Sequence, residues 1–291
     1  MKHLPTLKRP ARTATVALAS AAATAALTLP GLALAHGGHH DGGAVPPPPT
    51  SPTSDSQIQN IDQVKTAIKG YYGDTTTSTP DPVSGTTTLH QFSPTGAYAQ
   101  QTEGIAAKAE DYLARKAHHH SERGHDHGPS GTPAILFDID DTTLNTYSYE
   151  IYSSFVYNPT TNAAFVNAGS KSVFPAVPGM TDLEAQAVAD GYTVFFLTGR
   201  PASQLTGSEA NLTDAGYTFD PANIYLKDQT KPWLSTCAPT CTTTQYKSLT
   251  RKYIESQGYD IVANFGDQFS DLNGGYADKT FKMPNPMYYL P

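Results

Sequence analysis

The feature that most constrains this chain is an alternation that begins at residue 133. Four short, continuous apolar runs are separated by stretches of helical spacing. The runs are 134–137 (AILF), 192–197 (YTVFFL), 223–226 (NIYL) and 260–265 (DIVANF). A strand that is apolar on both faces is covered on both faces. Residues 180–190, the stretch from the second run to about Ala215, and residues 244–257 read as helices; 228–243 reads as an irregular Thr- and Pro-rich insertion. Strands alternating with helices predict an α/β fold, a Rossmann-like parallel sheet flanked by helices with right-handed crossovers.

In an open α/β sheet, ligands bind beyond the carboxyl ends of the strands. The first run ends in Asp138-Ile139-Asp140-Asp141-Thr142, the second in Thr198-Gly199, and the last in Gly266-Asp267 with Asp271 four further on. Lys247 opens the helix between the third and fourth runs. These positions collect carboxylates, a hydroxyl and an ammonium along one edge of the sheet. Crowded carboxylates repel unless a divalent cation sits among them, and an oxygen-only ligand set suits Mg²⁺. Such a cation screens the approach of a carboxylate to an anionic phosphate ester. Asp138 and Asp140 are two apart, where extended chain points them the same way. One can attack phosphorus while the other protonates the leaving alkoxide. Thr198, the Gly199 amide and Lys247 can hold the phosphoryl oxygens.

Each element alone has a bland reading. Asp141 or Thr142 could cap a helix, and a single Lys on a helix is usually solvated. A calcium loop counted from Asp138 fails, because Thr143 and Tyr149 stand where Gly and Glu are needed. The order and spacing of all four segments make the phosphoryl-transfer reading specific.

The rest of the chain frames this part. Lys2, Lys8, Arg9 and Arg12 precede an apolar run over 13–30 and Ala33-Leu34-Ala35, the pattern of a secretory signal peptide cleaved after Ala35. Removing those four basic residues takes the net charge from −7 to −11. That sign argues against nucleic acid or an anionic membrane as partner, and no other stretch is apolar enough to span a bilayer. Residues 36–56 form a Pro/Gly/Ser-rich disordered linker. Residues 57–132 form an N-terminal helical extension. Ile58, Ile61, Val64, Ile68 and Tyr72 predict an amphipathic helix over 57–72, 73–94 reads as loop, and a second helix spans about 95–117. His118, His119, His120, His125 and His127 follow in a loop over 118–127, either a weak zinc or copper site or a solvated insertion. Outside the cytosol, Cys237 and Cys241 read as a local disulfide pinning a loop, with a redox or metal-binding pair as the alternative.

The segments FDIDDTTL (137–144), FFLTGRP (195–201), YKSLTRKYIESQGYDI (246–261) and NFGDQFSDL (264–272) together resemble the four motifs of the haloacid dehalogenase (HAD) superfamily. The form of the fourth, with FKMPNPMYYLP (281–291), resembles its subfamily IIIB, the secreted acid phosphatases of the class B and plant acid phosphatase/vegetative storage protein branch. The resemblance covers about 133–291 well and 57–117 loosely. It implies an aspartyl-phosphate mechanism with Asp138 as nucleophile and Asp140 as general acid/base. Thr198, Gly199 and Lys247 would bind the phosphoryl group. The metal set would be Asp138, Asp140 through its backbone carbonyl, Asp267 and Asp271. The acid at Asp140 favours a phosphatase over the superfamily's transport ATPases.

Phe269 stands where the plant branch usually has Trp, and neither the His-rich segment nor the 228–243 insertion is a family feature. A small cap is expected at about 145–175. Its aromatics, among them Tyr147, Tyr149, Tyr152, Tyr157, Phe165 and Phe174, either stack on a nucleotide or aryl leaving group or form the cap's own packing. The expected partner is a small phosphate monoester, and the branch implies a homo-oligomer. Two other readings stand: phosphotransfer to an alcohol through the same intermediate, and a non-catalytic storage or metal-binding protein.

Overall fold

The computed structural model describes residues 53–54, 57–58, 60–122 and 131–290. The expected signal peptide (1–35), the expected linker (36–56, save for 53 and 54) and His125 and His127 lie outside the described residues. The centre is a five-stranded, wholly parallel sheet of β3 (Thr132–Phe137), β4 (Thr193–Pro201), β5 (Ile224–Lys227), β6 (Tyr259–Gly266) and β7 (Lys279–Lys282), in the order β5-β4-β3-β6-β7. The α/β expectation is met with one addition. β7 is an edge strand that is mostly exposed, so it shows no apolar run.

Period-two alternation splits the core into two faces. Ile135, Phe137, Val194, Phe196 and Phe265 lie in one buried cluster, and Ala134, Leu136, Phe195, Leu197 and Ile261 in the other. The first is covered by α5 (Met180–Ala189), α6 (Leu205–Ala215) and the N-terminal helices; the second by α7 (Thr243–Ser256). Thr242 and Gln245 form a reciprocal capping box that starts α7, and this fixes the turn that carries Lys247. Between β3 and α5 lie two short helices, α3 (Tyr147–Tyr152) and α4 (Pro159–Asn167).

The N-terminal region departs from expectation in three places. First, α1 (Ile61–Tyr72) starts late because the Asn60 side chain caps it, accepting from Gln63 N–H at 3.0 Å. Its apolar face is buried only at Ile68 and Tyr72, while Ile58, Ile61 and Val64 are exposed. Second, the predicted loop 73–94 contains an antiparallel hairpin, β1 (Thr75–Pro80) with β2 (Thr88–Gln91). β-Branched threonines favour extended chain, and the Asp81 carboxylate ties the turn by accepting the N–H groups of Val83, Ser84, Thr86 and Thr87. Third, α2 (Ala97–Glu122) runs on through His118 to His120, since no Gly or Pro stands between Ala117 and Gly124. Among the described residues, no helix is long and apolar enough to cross a membrane.

Candidate active site

The four predicted segments converge at the carboxyl ends of β3, β4 and β6. Asp138 is the first residue beyond β3, and its N–H still pairs with Phe265 O at 3.0 Å. Its carboxylate accepts from Lys247 Nζ, which also donates to Leu197 O at 2.6 Å and pairs with Asp271 Oδ1 at 3.0 Å. All three charged groups are buried. Lys247 is therefore no solvated helix lysine.

One carboxylate oxygen each from Asp138, Asp267 and Asp271 lies within 4.8 Å of the others. Gly266 makes this approach possible, because a Cβ there would stand 2.4 Å from the Asp271 Cβ. Three carboxylates with one ammonium leave a buried negative excess, and the proton affinities show it. Burial pushes Asp138 well above the usual carboxylate range; Lys247 opposes the shift, and Asp271, Asp267 and Asp140 reinforce it. Burial, then Asp271 and Asp141, push Asp267 up to about 8. Burial alone would lower Lys247, but Asp138 and Asp271 raise it to about 12. A divalent cation among these oxygens would supply the missing charge. The donor set thus fits a hard metal ion.

Asp140 lies apart from that cluster. Arg200 grips it with Nε at 3.0 and 3.2 Å and Nη2 at 2.6 Å, and Arg200 Nη1 donates to Ser208 Oγ at 3.0 Å. The arginine is buried while the Asp140 side chain keeps 30% of its surface exposed. Thr198 is buried at the end of the β4 core run, its Oγ1 accepting from Arg200 N–H at 3.2 Å. A Cβ added at the next residue, Gly199, would meet open space.

Several residues at this edge had no assigned role in the sequence. Arg200 stood inside FFLTGRP, but its partner is 60 positions away. Asp141 adopts a left-handed backbone (φ 53°), which Asp tolerates better than most residues. Its carboxylate caps no helix nearby in the expected way. It accepts from Thr146 N–H (3.1 Å), Thr146 Oγ1 (2.5 Å) and Tyr288 Oη (2.9 Å). Burial pushes it up to about 7, the Thr146 and Tyr288 hydrogen bonds opposing and Glu150 adding to the shift. Glu150, on α3, is also pushed up to about 7 by burial and by Asp140.

Of the aromatics after β3, Tyr147, Tyr149, Phe165 and Phe174 are buried in the core cluster, so the packing reading holds for them. Tyr157 and Phe269 are 68% and 63% exposed. Cys237 and Cys241 are bonded to each other just before α7, beside the buried Leu234.

The model of the HAD superfamily, subfamily IIIB (acid phosphatase), matches residues 83–291. The chain belongs to this family. Similar proteins include the stem 28 kDa glycoprotein of Glycine max, 36% identical over 54% of this chain and 59% of its own length. Acid phosphatase 1 of Solanum lycopersicum is 33% identical over 57% of this chain and 62% of its own length. The chain thus spans about three fifths of these relatives. Among solved structures, the class C acid phosphatase of Bacillus anthracis shares the fold, with a TM-score of 0.50 at 21% identity over 65% of this chain and 80% of that one.

Proposed function

We propose that this chain is a secreted, Mg²⁺-dependent acid phosphatase that hydrolyses small phosphate monoesters through an aspartyl-phosphate on Asp138. The observation that carries the reading is the division of labour between two aspartates. Asp138 is buried against Lys247 and the Asp267/Asp271 pair, while Asp140 stands apart, partly exposed and oriented by Arg200. Lys247 and a bound cation would hold Asp138 as the carboxylate that a nucleophile must be, and Asp140, reachable from solvent, can exchange its proton.

In the first step an Asp138 carboxylate oxygen bonds to phosphorus and the ester P–O bond breaks. Asp140 gives its proton to the departing alkoxide oxygen. In the second step water attacks the phosphorus, Asp140 takes the water proton, and the acyl-phosphate bond breaks to free inorganic phosphate and Asp138. Thr198 Oγ1, the Gly199 N–H and Lys247 Nζ hold the phosphoryl oxygens as charge moves onto them. Bound by Asp138, Asp267 and Asp271 with the Asp140 carbonyl, Mg²⁺ would neutralise charge between the carboxylate and the anionic ester. Secretion rests on the basic, apolar and small-residue pattern of residues 1–35.

The test is hydrolysis of p-nitrophenyl phosphate from about pH 4 to about pH 8, the range in which carboxyl groups with raised pKa values lose protons. Wild type should require Mg²⁺ and stop in EDTA. Asp138→Asn should lose about 10³-fold or more in kcat, as removal of a nucleophile does. Equal rates in wild type and variant would assign the activity to another nucleophile.

A further inference from the structure

The C-terminal segment 283–290 holds the motif MPNPMYYL, which the reaction above leaves unused. It is irregular but well anchored. Met283 N–H donates to Gly266 O at 2.9 Å, at the point where β6 delivers Asp267. Met283 and Met287 are buried. Between them, Asn285 Nδ2 donates to Asp267 Oδ2 at 2.7 Å. Asn285 Oδ1 accepts Met287 N–H at 2.8 Å, so the amide presents its nitrogen to the carboxylate. Gln268 Nε2 donates to the same Asp267 oxygen at 2.7 Å, and Gln268 Oε1 accepts Leu290 N–H at 3.1 Å. Both donors to Asp267 Oδ2 are therefore locked in place by the same strap of chain.

We propose that this C-terminal strap is the positioning element of the cation site. Asn285, seconded by Gln268, holds one oxygen of Asp267 and thereby aims the other at the space shared with Asp138 and Asp271. Partners behind a metal-ligating carboxylate fix its orientation, and the metal is held more weakly without them. Asn285 is a positioning residue: it touches Asp267, not substrate. The inference rests on the metal-dependent reading above.

The experiment is Mn²⁺ binding to the full chain, followed by the electron paramagnetic resonance signal of free Mn²⁺. Asn285→Leu keeps the branched shape and removes the donor; it should raise the Mn²⁺ Kd about tenfold or more. Saturating Mn²⁺ should then restore p-nitrophenyl phosphate hydrolysis, which damage to packing alone would not allow. If Asn285→Leu does not fold, Asn285→Ala, which adds no bulk, takes its place. A Kd within twofold of wild type, or activity that excess Mn²⁺ does not restore, would overturn the strap's role. Absence of Mn²⁺ binding by wild type would overturn the metal-dependent reading itself, and the strap's role with it.

Discussion

On the proposed mechanism, Arg200 sets the geometry of a reaction that it does not enter. Its planar fork meets both Asp140 oxygens, and Ser208 and the face of Phe174, 5.8 Å from ring centroid to guanidinium carbon, hold the fork from behind. A lysine has one donor point where arginine has a rigid pair. Arg200→Lys should therefore lower kcat for p-nitrophenyl phosphate about tenfold with little change in KM. The loss should be smaller than for Asp140→Asn, which removes the acid and costs about 10²–10⁴-fold. Steady-state kinetics of both variants decide it: a raised KM with unchanged kcat for Arg200→Lys would place the arginine on substrate instead. Asp138, Thr198, Lys247 and Asp267 were legible in the sequence because each stands at a strand end or helix start in a fixed order. Arg200, Asn285 and Tyr288 were not, although each lies inside a quoted motif. Their partners Asp140, Asp267 and Asp141 lie 60, 18 and 147 positions away, and pairing over such separations leaves no local spacing to read.

At the scale of elements, the N-terminal helices and hairpin reach the active-site edge through a tyrosine cluster. The Tyr72 ring on α1 lies 4.4 Å, centroid to centroid, from both Tyr98 on α2 and Tyr147 on α3. Asp74, just after α1, accepts from Tyr147 Oη at 2.9 Å and pairs with His90 Nδ1 of β2 at 2.8 Å. Tyr98 Oη in turn accepts from Asn145 Nδ2 at 3.1 Å, in the loop that follows Asp138 to Asp141. Tyr72 is fully buried, so Tyr72→Ala should cost about 3–5 kcal/mol, as large aromatic truncations in a core do. Urea unfolding measures it, and a loss under about 1 kcal/mol would mean that the cluster collapses to fill the space. Period 3.6 revealed α1 and α2 in the sequence, but it could not show which half of the α1 face is covered. Cover depends on where Tyr98 and Tyr147 arrive. The β1–β2 hairpin was hidden for a different reason: β1 is Thr-rich and mostly exposed and β2 has Leu89 as its one apolar residue, so both lack the apolar signature that marked β3, β4 and β6.

The molecule as a whole carries an electrostatic opposition between its fold and its active edge. Asp141 and Glu150 are pushed up to about 7 and Asp267 to about 8, in each case first by burial. In the unfolded chain these groups return to about 3.9 for Asp and 4.3 for Glu. Folded protein thus holds protons that the unfolded chain has already released, and stability must fall as pH rises from about 4 through about 8. The sign is opposite to that of a carboxylate held by a salt bridge, whose contribution disappears on acidification. A divalent cation bound at Asp138, Asp267 and Asp271 favours the ionised forms, so proton and cation compete for the same oxygens. In a chelator the melting temperature should decline steadily across that pH range. Added Mg²⁺ should recover most of the loss near pH 8 and little near pH 4, because a ligand stabilises only where it binds the folded state. Differential scanning calorimetry at a series of pH values, with EDTA and with Mg²⁺, reads both trends. A flat profile in EDTA would mean that the buried carboxylates are neutralised within the protein, and an equal Mg²⁺ gain at both pH values would mean that the cation binds away from them.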